Sequence, residues 1–221
     1  MDSKFSRHSG DRYSSLSGLF AQRALSDMRR VSDRRGLTAI STSVETGVRH
    51  MISDAMLQQA SAILAQVADG VNVVVVPQSM SVGTAENPAI CLKSAIQVNW
   101  VKKQMAAPEV RKYVEDDVAW DGIIGTVALD TLVIQEAVFD GTMAYRSAVI
   151  WHEHGHVLHG KTENGNVYLY EVTSLTNGVD VLDDEEIRNV LEARSGAYRA
   201  AVEPGVAALR QFLQQNWQIT L

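Results

Sequence analysis

Residues 140–160 (DGTMAYRSAVIWHEHGHVLHG) contain no proline, open on the capping residues Asp140-Gly141-Thr142 and close on Gly160. This punctuation predicts one helix running to about His159. Inside it, His152-Glu153-His154-Gly155-His156 fits the pattern His-Glu-x-x-His. On a helix, positions i and i+4 lie one turn apart on one face, so His152 and His156 can direct two imidazole nitrogens at one metal ion. Glu153 lies beside that face. From there its carboxylate can take a proton from a water attacking a carbonyl and pass it to the leaving amine, while the metal supplies Lewis acidity.

The rest of the chain bounds what can surround such a helix. At 221 residues, 46% hydrophobic and 21% charged, it has the composition of a soluble globular protein with one core and an appendage. The net charge of -6 is unevenly spread: residues 1–35 hold eight basic against four acidic side chains, +4, which leaves -10 for the remainder. An acidic body disfavours nucleic acid as the main substrate, although the basic arm could meet an acidic partner surface. Cys91 is the only cysteine, which excludes an internal disulfide and a Cys-rich metal site and suits a reducing compartment. The N-terminus lacks an apolar signal core and no stretch is apolar enough to span a bilayer, so cytoplasmic residence and no membrane partner are expected.

Residues 1–43, rich in Ser and Arg, read as an extension, and 44–221 as the folded domain. Ser43 to Ala68 carries apolar residues at three- and four-residue spacing, an amphipathic helix pattern. Val71 to Pro77 (VNVVVVP) reads as a buried strand, and the alternating Ala95 to Trp100 (AIQVNW) as a second. Between Met105 and Phe139 helix and strands fit nearly equally. Val167 to Val172 (VYLYEV) reads as a strand or hairpin arm. Acidic residues at 183–186 open a helix over 184–201, and a last helix covers about 205–217.

Other residues near the motif have blander expected roles. His154 lies on a different helix face from His152, as a supporting or surface residue. His159 shares the face of the pair but is too far along the helix to join them at one ion, so it is expected to cap the helix C-terminus. The alternative of turning the chain at a glycine to bring in a later histidine, as in HExxHxxGxxH, is closed on this reading: Gly160 comes one place late and no histidine follows. Gly155 costs ~1 kcal/mol within a helix, which a close approach by a neighbouring element would rationalise. Tyr168, Tyr170 and Tyr198 could each donate to an oxyanion, against burial as their commoner fate. Cys91 has no neighbouring group to activate it and reads as a structural thiol.

Trp151 to Gly160 (WHEHGHVLHG) resembles the active-site helix of gluzincin-like peptidases, most closely the ImmA/IrrE type, with an apolar residue before HExGH and an apolar pair after it. The resemblance covers about ten residues. It implies an α+β, zincin-like metallopeptidase domain with a small sheet packed on the active-site helix, here preceded by the basic extension. It also implies a strand aligned with bound peptide, for which Ala95 to Trp100 is the candidate. The third zinc ligand would be a glutamate on the following helix, followed by Ala; Glu192-Ala193 matches, with Glu185 as rival and Glu186 and Glu171 weaker. Arg194 departs from the pattern, since an Asp or Asn often follows the Glu-Ala pair, which puts the support of the ligands in doubt.

Together these readings give a zinc peptidase acting on a protein or peptide, with Zn2+ held by His152, His156 and Glu192 and with Glu153 as general base. A zincin-like protein that has lost turnover and serves as a binding or assembly component, tethered by its arm, is the alternative.

Overall fold

A computed structural model describes residues 71–82, 88–112, 114, 117–177, 182–202 and 206–221. The N-terminal extension and the helix expected over 43–68 lie outside the described residues. Within them the chain is α+β, mostly helical, with one three-stranded sheet. The elements in order are β1 (Val73–Val76), β2 (Ala89–Cys91), α1 (Ala95–Met105), α2 (Pro108–Arg111), α3 (Asp117–Thr126), β3 (Leu132–Gln135), a 3-10 turn (Glu136–Asp140), α4 (Met143–His159), α5 (Gly165–Asn177), α6 (Asp184–Ala201) and α7 (Ala207–Trp217).

The sheet runs β1-β3-β2, with β1 parallel to β3 and β2 antiparallel to it. Strand alternation sends side chains to two different cores. Val74, Val76 and Val133 face α1, α2 and α3, where Val101, Met105, Val110 and Trp120 are buried. Ala89, Cys91, Leu132 and Ile134 face the other way, onto Val149, Ile150 and Trp151 of α4. On the far side of α4, Ala144 and Ala148 join a third cluster with α5, α6 and α7, including Leu175, Leu191, Tyr198, Leu209 and Leu213. The motif helix is thus held between the sheet and three helices, and residues 147–156 are all buried. No described helix is long and apolar enough to cross a membrane.

Two expected strands are helices. Ala95 to Trp100 opens α1, because Ser94 caps it: the Ser94 hydroxyl accepts from Gln97 N-H at 3.3 Å, while the Gln97 side chain reaches back to Lys93 N-H at 2.9 Å. This Ser-x-x-Gln exchange is a near relative of the capping box, and the burial of Val101 and Met105 extends a helical spacing from Val98 that a six-residue window cuts off. Val167 to Val172 lies inside α5. Asn164 Oδ1 accepts from the N-H groups of Asn166 (2.9 Å) and Val167 (3.2 Å) and so starts the helix. Packed against α4, α6 and α7, α5 buries most of its circumference, so no polar stripe marks its period.

Gly155 sits where α5 crosses α4. A Cβ there would stand 3.1 Å from Val167 Cγ1 and 3.2 Å from the Val167 carbonyl, so the close approach expected from the sequence exists. The expected ends of α4 also hold: the Thr142 hydroxyl accepts from Tyr145 N-H at 3.2 Å, and Gly160, at φ +88° and ψ 179°, stops the helix.

Candidate metal centre

Helix periodicity places His152 and His156 on successive turns of α4, with ring centroids 4.9 Å apart and Nε2 atoms 3.2 Å apart. The opposite ring nitrogens fix the tautomers. His156 Nδ1 lies 2.8 Å from the Gly160 carbonyl oxygen, which can only accept, so Nδ1 carries the proton. His152 Nδ1 lies 2.9 Å from Oε2 of Glu171, the wholly buried carboxylate of α5, and donates to it in the same way. Both neutral rings therefore turn an Nε2 lone pair toward the same point.

Glu163 completes the cluster. Its Oε1 lies 3.2 Å from His156 Nε2, and its Oε2 3.3 Å from His152 Nε2. Among the described residues, His152, His156 and Glu163 are the group of side chains placed to hold a metal ion. Ligands 2.0 to 2.1 Å from a tetrahedral zinc are separated by about 3.3 Å, which the separations of 3.2 to 3.3 Å match. Two neutral imidazoles and one carboxylate, each imidazole anchored through its other nitrogen, form a donor set that fits zinc. The histidines are buried and the Glu163 side chain is 53% exposed, so the cluster opens to solvent on the Glu163 side.

Electrostatics agree with a cation site. Burial alone would depress both histidines, but Glu163 and Glu171 outweigh it at His152, raising its pKa to about 9. At His156, burial is outweighed by Glu163 and the Gly160 carbonyl, again in the raising direction. Burial would raise Glu163, but the two histidines hold it well below the usual carboxylate range. Three lone pairs converging at hydrogen-bond distance repel unless something positive lies among them, and in the absence of a metal a proton plays that part.

Glu153, one residue beyond His152, is 1% exposed and accepts from Cys91 N-H of β2 at 2.6 Å. Its charge favours the cationic forms of both His152 and His156, which places the expected base beside the cluster. Cys91 is buried, and its thiol is pushed up to about 12 by burial, with Glu153 adding to the effect. It stays protonated and structural, as expected.

Glu192 does not join the cluster. It is exposed on α6, as is Glu185, because the face of α6 turned toward the core carries Ile187, Val190, Leu191, Arg194 and Tyr198 instead. The third carboxylate comes from the loop after α4. Sequence reasoning closed this route by requiring a histidine after the glycine, yet Gly160 does turn the chain and Glu163, three residues on, is a competent ligand. Glu171, weighed only as a weak ligand, instead holds His152 from behind.

His154 points away from the cluster and is buried against Tyr170, with Nδ1 2.6 Å from the tyrosine hydroxyl. Burial and then His159 lower its pKa to about 4, so it stays neutral. His159 turns its ring edge to Tyr170 at 5.9 Å, and the bond that closes the helix end, to the His156 carbonyl, comes from Gly160 N-H. Of the three tyrosines, Tyr170 bonds His154 and Tyr198 bonds Glu171, while the Tyr168 ring packs against the His152 ring at 4.9 Å.

No protein-family model, curated protein or solved structure gives a significant match to this chain. The functional reading therefore stands on the geometry of the site.

Proposed function

We propose that the chain is a zinc-dependent peptidase of the zincin type, with zinc held by His152, His156 and Glu163. The observation that carries this reading is the convergence of three lone pairs, two of them fixed in direction by Glu171 and the Gly160 carbonyl. Zinc bound by three protein donors keeps a position open and supplies Lewis acidity toward a carbonyl and toward water.

The chain's own residues supply the remainder. Glu153 takes a proton from the attacking water and delivers it to the departing amine; its bond to Cys91 N-H keeps the carboxylate in place between these tasks. β2, at the edge of the sheet and joined to α4 through that bond, takes the role of aligning extended peptide that the resemblance to ImmA/IrrE-type enzymes implies. Tyr168 stays protonated, chiefly through burial and the charge of Glu163, and so remains a hydrogen-bond donor at the edge of the cluster. The protein or peptide substrate enters from the Glu163 side, where the cluster is exposed.

The test is zinc content and peptide hydrolysis measured together on the full chain, wild type against Glu153→Gln. The variant should keep its zinc and lose about 10²- to 10⁴-fold in kcat. Equal performance of the two in hydrolysis and in cellular assays, with zinc present in both, rejects the peptidase and leaves a metal-stabilised binding module.

A further inference from the structure

Arg194 occupies the position where the ImmA/IrrE-type pattern led us to expect a short polar residue, and the structure gives it a different partner. Glu171 is wholly buried on α5 and is met from two neighbouring helices, α4 and α6. Its Oε2 receives His152 Nδ1 of α4 (2.9 Å) and Arg194 Nη2 of α6 (3.0 Å). Its Oε1 receives the Tyr198 hydroxyl, one turn further along α6, at 3.0 Å. Arg194 Nε also approaches Oε1 to 2.5 Å, off the N-H axis, as a charge contact rather than an aligned hydrogen bond. The guanidinium lies 5.9 Å from the centroid of the Tyr168 ring, which itself packs against the His152 ring at 4.9 Å.

A buried ion pair is weak as a source of stability, since apolar residues of similar volume often do as well. What this pair provides is direction. A carboxylate on one helix can rotate about its terminal torsion, and with it the hydrogen bond that aims His152. The planar guanidinium touching both oxygens, with the Tyr198 hydroxyl on one, leaves Glu171 a single orientation.

We infer that Arg194 is a positioning residue for the metal site: together with Tyr198 it locks the Glu171 carboxylate, which in turn fixes the His152 ring so that Nε2 faces His156 and Glu163. This inference rests on the metal-site reading above. It assigns Arg194 no contact with substrate or metal; its effect passes through Glu171 to His152, whose Nδ1 the Arg194 Nη2 itself also approaches to 3.4 Å.

The experiment measures zinc affinity by chelator competition, and the visible absorption of the cobalt-substituted protein, on the full chain. Arg194→Lys keeps the charge but loses the fork, and should weaken zinc binding by up to about tenfold. Arg194→Met should weaken it by about 10- to 100-fold. The double variant Arg194→Met/Glu171→Gln leaves no buried charge unpaired, so it should recover thermal stability without recovering zinc affinity, and its cobalt bands should be shifted. A merely structural role would move stability and affinity together. Should Arg194→Met fail to fold, the double variant decides: wild-type zinc affinity with a wild-type cobalt spectrum overturns the inference. A wild-type protein that binds neither zinc nor cobalt overturns the metal-site reading itself, and this inference with it.

Discussion

His156 donates its Nδ1 proton to the carbonyl oxygen of Gly160, four residues on, at 2.8 Å. Since Gly160 also ends α4 at φ +88°, one residue both sets the tautomer of a candidate ligand and redirects the chain that supplies Glu163. The candidate metal site is therefore local: residues 152–163 carry all three side chains placed to hold an ion, and the neighbouring helices hold them in place rather than adding a fourth.

The exchange of Glu192 for Glu163 as third ligand is open to direct measurement. Glu163→Ala should weaken zinc binding by more than roughly 100-fold, beyond the range seen when only supporting residues are lost. Glu192→Ala, at an exposed position on α6, should leave zinc stoichiometry and affinity within about twofold of wild type. The reverse ranking in elemental analysis and chelator competition would return the role to Glu192.

What the sequence made legible follows a physical line. The span of α4, the pairing of His152 with His156, the strand at 73–76, the start of α6 at Asp184 and the packing reason for Gly155 all depend on local chemistry, caps and i to i+4 spacing, which a sequence carries explicitly. The misread strands share a different cause. In α5, burial on nearly every side removes the alternation between polar and apolar that would reveal its period, and its aromatic and β-branched residues mimic a strand. In α1, the Ser94 to Gln97 cap is present in the sequence, but Ser94 stands one place before the six alternating residues that mimic a strand, and Gln97 within them is read there as a polar position of the alternation. Glu171 and Arg194 were beyond reach for another reason: their roles exist only where three helices meet, and no spacing along the chain encodes that meeting.

Protonation should set how tightly the site binds zinc. In the metal-free protein His152 holds a proton up to about pH 9, and zinc must displace it. Affinity should rise about tenfold per pH unit from pH 6.5 toward 9, with about one proton released per zinc. Calorimetry in buffers of different ionisation enthalpy counts that proton, and a pH-independent affinity would contradict the arrangement.

Stability of the metal-free protein should move the opposite way. A pKa raised from 6.5 to about 9 in the fold stabilises fully below pH 6.5 and is lost as pH rises through 9, on the order of 3 kcal/mol and several degrees in Tm. Glu171 and Glu163 are both depressed, burial being outweighed at Glu171 by Arg194 and His152; their contribution is present above the unfolded value of 4.5 and lost as pH falls below it. His154, depressed to about 4, works the other way and takes stability away as pH falls below 6.5. Thermal melts without metal should therefore peak near pH 6.5, and zinc should abolish the alkaline decline.

Gly160 offers the sharpest separation of site geometry from general stability. Its φ of +88° with ψ of 179° falls where a side chain costs about 1 to 3 kcal/mol, although an added Cβ would meet nothing within 4 Å. Gly160→Ala is thus free of steric collision and acts through the backbone alone. Relief of the strain requires rotating the Gly160 peptide, which moves the carbonyl that anchors His156 and swings the three residues leading to Glu163. Zinc affinity should fall by about 10- to 100-fold, while the metal-free protein loses only a few degrees in Tm. Gly196→Ala, at an exposed position within α6 with open space around it, is the control: it should raise Tm through helix propensity worth about 1 kcal/mol and leave zinc binding untouched. If Gly160→Ala binds zinc as tightly as Gly196→Ala does, the turn at Gly160 is not what delivers Glu163, and the local construction of the site fails.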